Sequence, residues 1–162
     1  MTGPRILIAG VGNVFLGDDG FGVAVADRLA CEPPEGARVA DFGIRGMHLA
    51  YELMDGYDLL ILVDAVARGE EPGTVSVIEP DLAAIEPAAG VDSHGMNPDA
   101  VLACCKGFGV PLGRVLVVGC EPADCSCRWG LTERVAESVG SAERTVRNLV
   151  ADAIDAGTRT TG

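Results

Sequence analysis

The chain has 162 residues, 48% hydrophobic and 22% charged, which is enough for one domain with its own core, expected over 1–162 with an ordered part at about 4–156. A formal net charge of −12 argues against nucleic acid or anionic lipid as partners. No run approaches the ~20 apolar residues that span a bilayer, and MTGPRILIAG lacks the charged start and cleavage site of a signal peptide, so a cytoplasmic protein with reduced cysteines is expected; a monomer is the working expectation, which the residues themselves leave open.

In chain order, Arg5–Gly10 is a short apolar run bounded by Pro4 and a glycine turn, as a buried parallel strand requires. Phe21, Val25 and Leu29 then recur at a spacing of four, which marks one face of a helix. Ala37–Gly43 alternates like a second strand, and a short helix is expected from about Met47 to Met54. Tyr57–Ala65 carries an unbroken apolar run, so it is expected at the centre of the sheet, buried on both faces. Thr74–Glu79 alternates after the turn residues Glu71-Pro72-Gly73 and reads as a strand at or near an edge.

Leu82 to Gly95 is loop-like, and Asn97-Pro98 then supplies an N-cap and a first-turn proline for a helix ending near Lys106. Arg114–Gly119 is another buried strand, Glu121–Gly130 an irregular cysteine-bearing loop, and Thr132 to about Ala156 is helical with a break expected at Gly140-Ser141. The alternation predicts an α/β, three-layer sandwich: a mostly parallel twisted sheet of about five strands with helices on both faces.

In such a fold, ligands bind beyond the carboxyl ends of the strands where strand order reverses. The loop Gly10–Asp19 follows the first strand, Asp41 ends the second, Asp64 ends the third and His94 lies beyond the fourth, so all four are expected at one crevice. Gly10-Val11-Gly12 with Asp41 has the look of a dinucleotide fingerprint, but Phe15 stands at the third glycine. Asp18 and Asp19 also place negative charge where a pyrophosphate would need bare amides, so no nucleotide is expected. Of these two acids, Asp18 is expected to satisfy local turn or helix amides and Asp19 to point into the crevice.

Asp64, directly after Leu59-Leu60-Ile61-Leu62-Val63, is costly to desolvate without a hydrogen bond or a cation. Asp19, Asp64 and His94 together make a three-ligand set suited to nickel, zinc or cobalt, and spacing alone does not choose among them. His48 is read as structural or exposed. Ser93 beside His94 does not establish a nucleophile triad. Cys120, Cys125 and Cys127 match no standard metal-binding spacing, and Cys104 and Cys105 fit a helix core.

Gly10-Val11-Gly12-Asn13 followed by Gly17-Asp18-Asp19-Gly20-Phe21-Gly22 resembles the N-terminal signature of the [NiFe]-hydrogenase maturation endopeptidases. The resemblance continues through Asp41-Phe42-Gly43, Val63-Asp64-Ala65, Ser93-His94 and Gly119-Cys120-Glu121-Pro122, and so covers nearly the whole chain. It implies a peptidase that removes the C-terminal extension of a hydrogenase large-subunit precursor after nickel insertion. The nickel comes with the substrate, and a divalent surrogate ion can take its place. The residues carried over are Asp19, Asp64 and His94 as metal contacts and Asp41 in substrate handling; for the catalytic step, Asp64 or Asp19 is expected as general base, with the ion polarising the scissile carbonyl or acidifying water. The competing expectation is a chaperone that binds metal or metalloprotein in the same pocket without cutting.

Overall fold

A computed structural model describes residues 3–88 and 97–160 of the chain. The elements run β1 (Ile6–Val11), α1 (Phe21–Cys31), β2 (Ala37–Gly43), α2 (Gly46–Leu53), β3 (Leu59–Ala65), β4 (Val75–Ile78), α3 (Pro98–Gly107), β5 (Arg114–Cys120), α4 (Glu133–Glu137) and α5 (Val139–Thr160). The strands form one five-stranded sheet in the order β2-β1-β3-β5-β4. β1, β2, β3 and β5 are parallel, and β4 closes one edge antiparallel to β5. This is the expected mostly parallel α/β sandwich, with β3 central and β4 at an edge.

Alternation along the strands feeds two cores. On one face, Ile6, Ile8, Ile61 and Val63 pack with Phe21, Val25 and Leu29 of α1 and with Val139, Val146 and Val150 of α5. On the other, Leu7, Ala9, Leu60 and Leu62 meet Leu49 and Leu53 of α2 and Val101, Leu102 and Cys105 of α3. Every residue from Leu59 to Asp64 is buried, as a strand covered by helices on both faces must be.

Local signals set most boundaries. The Asn97 side chain accepts a 2.8 Å hydrogen bond from the Ala100 N–H, and Pro98 occupies the first turn of α3. The last helical region breaks at Ser138, earlier than the expected Gly140-Ser141. The Ser138 hydroxyl donates to the carbonyls of Gly73 at 2.5 Å and Arg134 at 3.2 Å, which ties the break to the loop before β4. Nothing local to Gly140 announces that distant contact. Leu82–Ala84, read as loop, forms a single 3-10 turn.

The chain direction across the sheet reverses at β1, which has β2 on one side and β3 on the other. Two glycines make the junction there close enough to matter. A Cβ on Gly22 would lie 2.0 Å from the Val63 carbonyl oxygen and 2.4 Å from that of Val11, and one on Gly10 would lie 2.4 Å from the Gly22 oxygen. α1 therefore sits directly on β1 and β3. Gly22→Ala is expected to lower the unfolding free energy by roughly 3 kcal/mol or more, because backbone on both sides leaves no room to yield. Urea denaturation of the variant measures this.

Candidate functional site

At the strand-order reversal, the loop after β1 and the end of β3 bring two carboxylates together. Asp64 is the penultimate residue of β3 and is fully buried. One of its oxygens, Oδ1, accepts a 2.8 Å bond from the Ala65 N–H. The other, Oδ2, is buried and has no hydrogen-bond partner among the described residues. Burial pushes the Asp64 pKa well above the ordinary carboxylate value, and the charge of Asp19 pushes it further in the same direction.

Asp19 lies in a 3-10 turn, Gly17–Gly20, that leads into α1. Its Oδ2 accepts a 2.8 Å bond from the Asn13 N–H, and burial raises its pKa against that hydrogen bond. Gly12 makes the approach of these two acids possible. A Cβ there would fall 1.9 Å from the Asp19 carbonyl oxygen and 3.4 Å from Asp64 Oδ1, and the backbone φ of +133° is one that side-chain-bearing residues avoid.

Asp18 behaves differently from its neighbour and from the expectation. Neither the 3-10 turn nor α1 has a side-chain cap, so Asp18 does not satisfy local amides. It reaches instead across the structure to the loop after β5. Oδ2 accepts from the N–H groups of Ala123 at 2.8 Å and Asp124 at 2.9 Å, and Oδ1 from that of Thr132 at 2.7 Å. The Thr132 hydroxyl lies 2.9 Å from Oδ2 and 3.1 Å from Oδ1. Burial alone would raise the Asp18 pKa, but the backbone donors of Thr132, Asp124 and Ala123 outweigh it, and the pKa is lowered.

Asp41 is exposed on β2, paired in register with Gly10. The Arg45 guanidinium binds its backbone carbonyl at 2.6 Å. Asp27 on α1 feels the Asp41 charge, which adds to burial in raising the Asp27 pKa. His94 and Ser93 lie outside the described residues. His48 is exposed on α2.

Cys104, Cys105 and Cys120 are buried, while Cys125 and Cys127 are exposed, and all of them are free thiols. Burial pushes Cys105 up to about 12 and Cys120 to about 11, so neither offers a thiolate near neutrality. Among the described residues no three His, Cys, Asp or Glu side chains are grouped to hold a metal ion. Cys120, Cys125 and Cys127 all fall within that set.

Two features of this rim escaped the sequence reading. Glu121 accepts from the N–H groups of Arg68 at 2.7 Å and Gly69 at 3.3 Å, which fixes the turn that follows Asp64. Phe15 and Trp129, from the loops that Asp18 joins, meet with ring centroids 5.4 Å apart. The signal for the second was present, because Trp129 is the chain's one tryptophan.

The fold and its switch point define an α/β protein with a buried aspartate and a half-buried one brought together at the strand-order reversal. The family model for hydrogenase maturation protease matches residues 23–149, and the chain belongs to that family. It is 33% identical over 130 residues to the hydrogenase expression/formation protein HupD of Rhizobium leguminosarum bv. viciae, covering 78% of this chain and 63% of that protein. It is 32% identical over 147 residues to a putative hydrogenase maturation protease of Methanocaldococcus jannaschii, covering 88% of this chain and 94% of the other. The hydrogenase maturating endopeptidase HybD from E. coli superposes with a TM-score of 0.75 at 25% identity, over 92% of this chain and 93% of that one. The [NiFe] hydrogenase maturation protease HycI of Thermococcus kodakarensis gives 0.67 at 27% identity, over 94% of each chain.

The two buried acids give opposite pH slopes. Asp64 has a raised folded-state pKa, so its contribution is fully present below the ordinary value of 3.8 and is lost as pH rises through the folded value. Asp64→Asn is therefore expected to melt higher than the parent at neutral pH in chelator-treated buffer, with the difference shrinking toward pH 4. Asp18 has a lowered pKa, so its contribution is present above 3.8 and is lost as pH falls through the folded value. Asp18→Asn turns a donor toward buried amides and is expected to cost about 3 kcal/mol at neutral pH. Melting curves of both variants from pH 3 to 8 check the signs.

Proposed function

We propose that this protein is an endopeptidase that removes the C-terminal extension of a [NiFe]-hydrogenase large-subunit precursor once nickel has been inserted, recognising the nickel that the substrate carries. The observation that carries the reading is Asp64: a buried carboxylate with one oxygen unpartnered among the described residues, beside a second acid. Such a pair is stable when it holds a proton or meets a cation, and it loses that compensation when neither is present.

In this reading Asp19 and Asp64, with His94 from the loop before α3, contact the nickel of the loaded precursor. An unloaded precursor offers no charge to offset the acids, so only the loaded form gains the full binding energy. Asp41, exposed beside the same loop, handles the substrate chain. The nickel is cargo of the substrate, and no resident cofactor and no nucleotide are required.

The same carboxylates suit the hydrolytic step. A carboxyl group whose pKa is raised by burial is a stronger base than an ordinary aspartate, and an Asp64 oxygen not engaged by the cation would be the one to act as base. Asp64 then accepts a proton from the attacking water as the water adds to the scissile carbonyl, and returns it to the leaving amine. Asp19, half-buried and accepting a hydrogen bond from the Asn13 amide, adds its charge to the burial that raises the Asp64 pKa. The reaction takes place in the cytoplasm, where a monomer meets its protein substrate.

Incubation with nickel-loaded precursor, followed by intact-mass measurement, tests the reading. Shortening of the precursor by its extension is the expected result, with no shortening of the nickel-free form. Asp64→Asn is expected to reduce the rate by about 10²–10⁴-fold while the protein stays folded, and His94→Ala to weaken cleavage through loss of a nitrogen ligand. Full activity of folded Asp64→Asn would overturn the assignment. A stable complex without shortening would make the protein a chaperone.

A further inference from the structure

The loop that carries Asp19 has an outer lip with its own architecture. Gly17 N–H donates to the Arg128 carbonyl at 2.9 Å, Arg128 N–H to that of Phe15 at 3.2 Å and Asp18 N–H to that of Asp124 at 2.9 Å. Leu16 and Arg128 form a parallel bridge. These bonds and the Asp18 carboxylate lock residues 15–18 to residues 123–132, so the lip is a fixed surface.

On that surface Phe15 is 66% and Trp129 73% exposed, even though each ring lies against the other. The whole chain has one Trp, two Tyr and four Phe, so few aromatics are available, and two of them are held together in solvent. Below Trp129 a cavity of about 150 Å³ opens toward α1, with Val14, Val23, Ala24 and Leu131 among its apolar walls and Asp27 at its edge. It has room for one aliphatic side chain. Asp27 makes no ion pair among the described residues, and the nearby Asp41 adds a second negative charge.

We propose that Phe15, Trp129 and this cavity form a docking site for a segment of the precursor protein that presents an aliphatic side chain next to a lysine or arginine. The aliphatic group fills the cavity, the aromatic pair covers it, and the basic group meets Asp27. The net charge of −12 favours a basic segment over an acidic one. Rigid, exposed aromatics above a small pocket are the residue types that dominate protein interfaces. Phe15 lies four residues before Asp19, so a segment seated here rests on the same loop as the acid. Docking then aligns the extension with the cleft independently of the metal.

The proposal rests on the precursor being the partner, and the experiment separates the two claims. Trp129 is the single tryptophan, so its emission reports occupancy directly, using the full-length protein, folded Asp64→Asn to block cleavage, and a tryptophan-free variant of a purified nickel-loaded large-subunit precursor with its extension intact. The expected result is a blue shift of emission on adding precursor, reduced at high salt. Phe15→Ala and Asp27→Lys, with melting temperatures unchanged, are expected to weaken binding roughly tenfold or more, and in the cleaving protein to raise KM with kcat little changed. Asp27→Asn is expected to fall between the parent and Asp27→Lys.

Binding with unmoved emission, or with parental affinity in both variants, overturns the docking site even if cleavage proceeds. A shift produced by protein concentration alone makes the lip a self-association surface and also overturns it. A shift with precursor that the parent never shortens upholds docking and removes the peptidase reading. No binding at all removes both.

Discussion

The structure turns on one buried acid. β3 is buried from Leu59 to Asp64, and it delivers a carboxylate into a rim where one oxygen has no partner among the described residues. Charge in such a place is expensive unless a proton or a counter-charge offsets it. The surrounding backbone accommodates the acid without satisfying it. Gly12 has no Cβ to fill the space beside Asp64 Oδ1, and Gly22 lets α1 settle on the carbonyls of Val11 and Val63. The same close packing that makes the core dense brings Asp19 near enough to raise the Asp64 pKa.

Adjacent aspartates here do opposite work. Asp18 is saturated with donors from Ala123, Asp124 and Thr132, so its charge is stabilised and the loop after β5 is held in place. Asp19 has one backbone donor and a raised pKa, and its charge raises the pKa of Asp64. A helix N-terminus can stabilise either acid, yet neither is used as a cap. The paired carboxylates thus divide into an anchor that fixes the lip and a group left unsatisfied at the cleft.

Much of this was legible in the residues, for physical reasons that differ from place to place. β1, β3 and β5 announced themselves because strands covered on both faces must be continuously apolar, and β4 read as an edge because its alternation leaves one side wet. Asn97-Pro98 marked α3 because capping is local chemistry. Asp64 stood out as an acid at the end of an apolar run. The partners of Asp18, 105 to 114 residues away, had no local signature, so its role was misread as capping. The helix break moved to Ser138 for the same reason, since its hydroxyl answers to Gly73 across 65 residues. His94 lies outside the described residues, and its place beside the acids belongs to the proposal.

Three ranges of force act on a partner at this rim, and they select for different things. The overall negative charge acts at a distance, but salt screens it beyond about 8–10 Å, so it biases encounter more than it discriminates. In the proposed reading, the aromatic lip acts at contact, where Phe15 and Trp129 reward apolar surface whatever the metal content behind it. The buried pair would then be what distinguishes a loaded partner from an empty one, because a low dielectric lets one added cation change the balance. A protein that engaged every precursor yet acted on the finished ones would be served by that separation. On that proposal, weak steering and apolar docking set occupancy, and the Asp19–Asp64 pair decides what occupancy leads to.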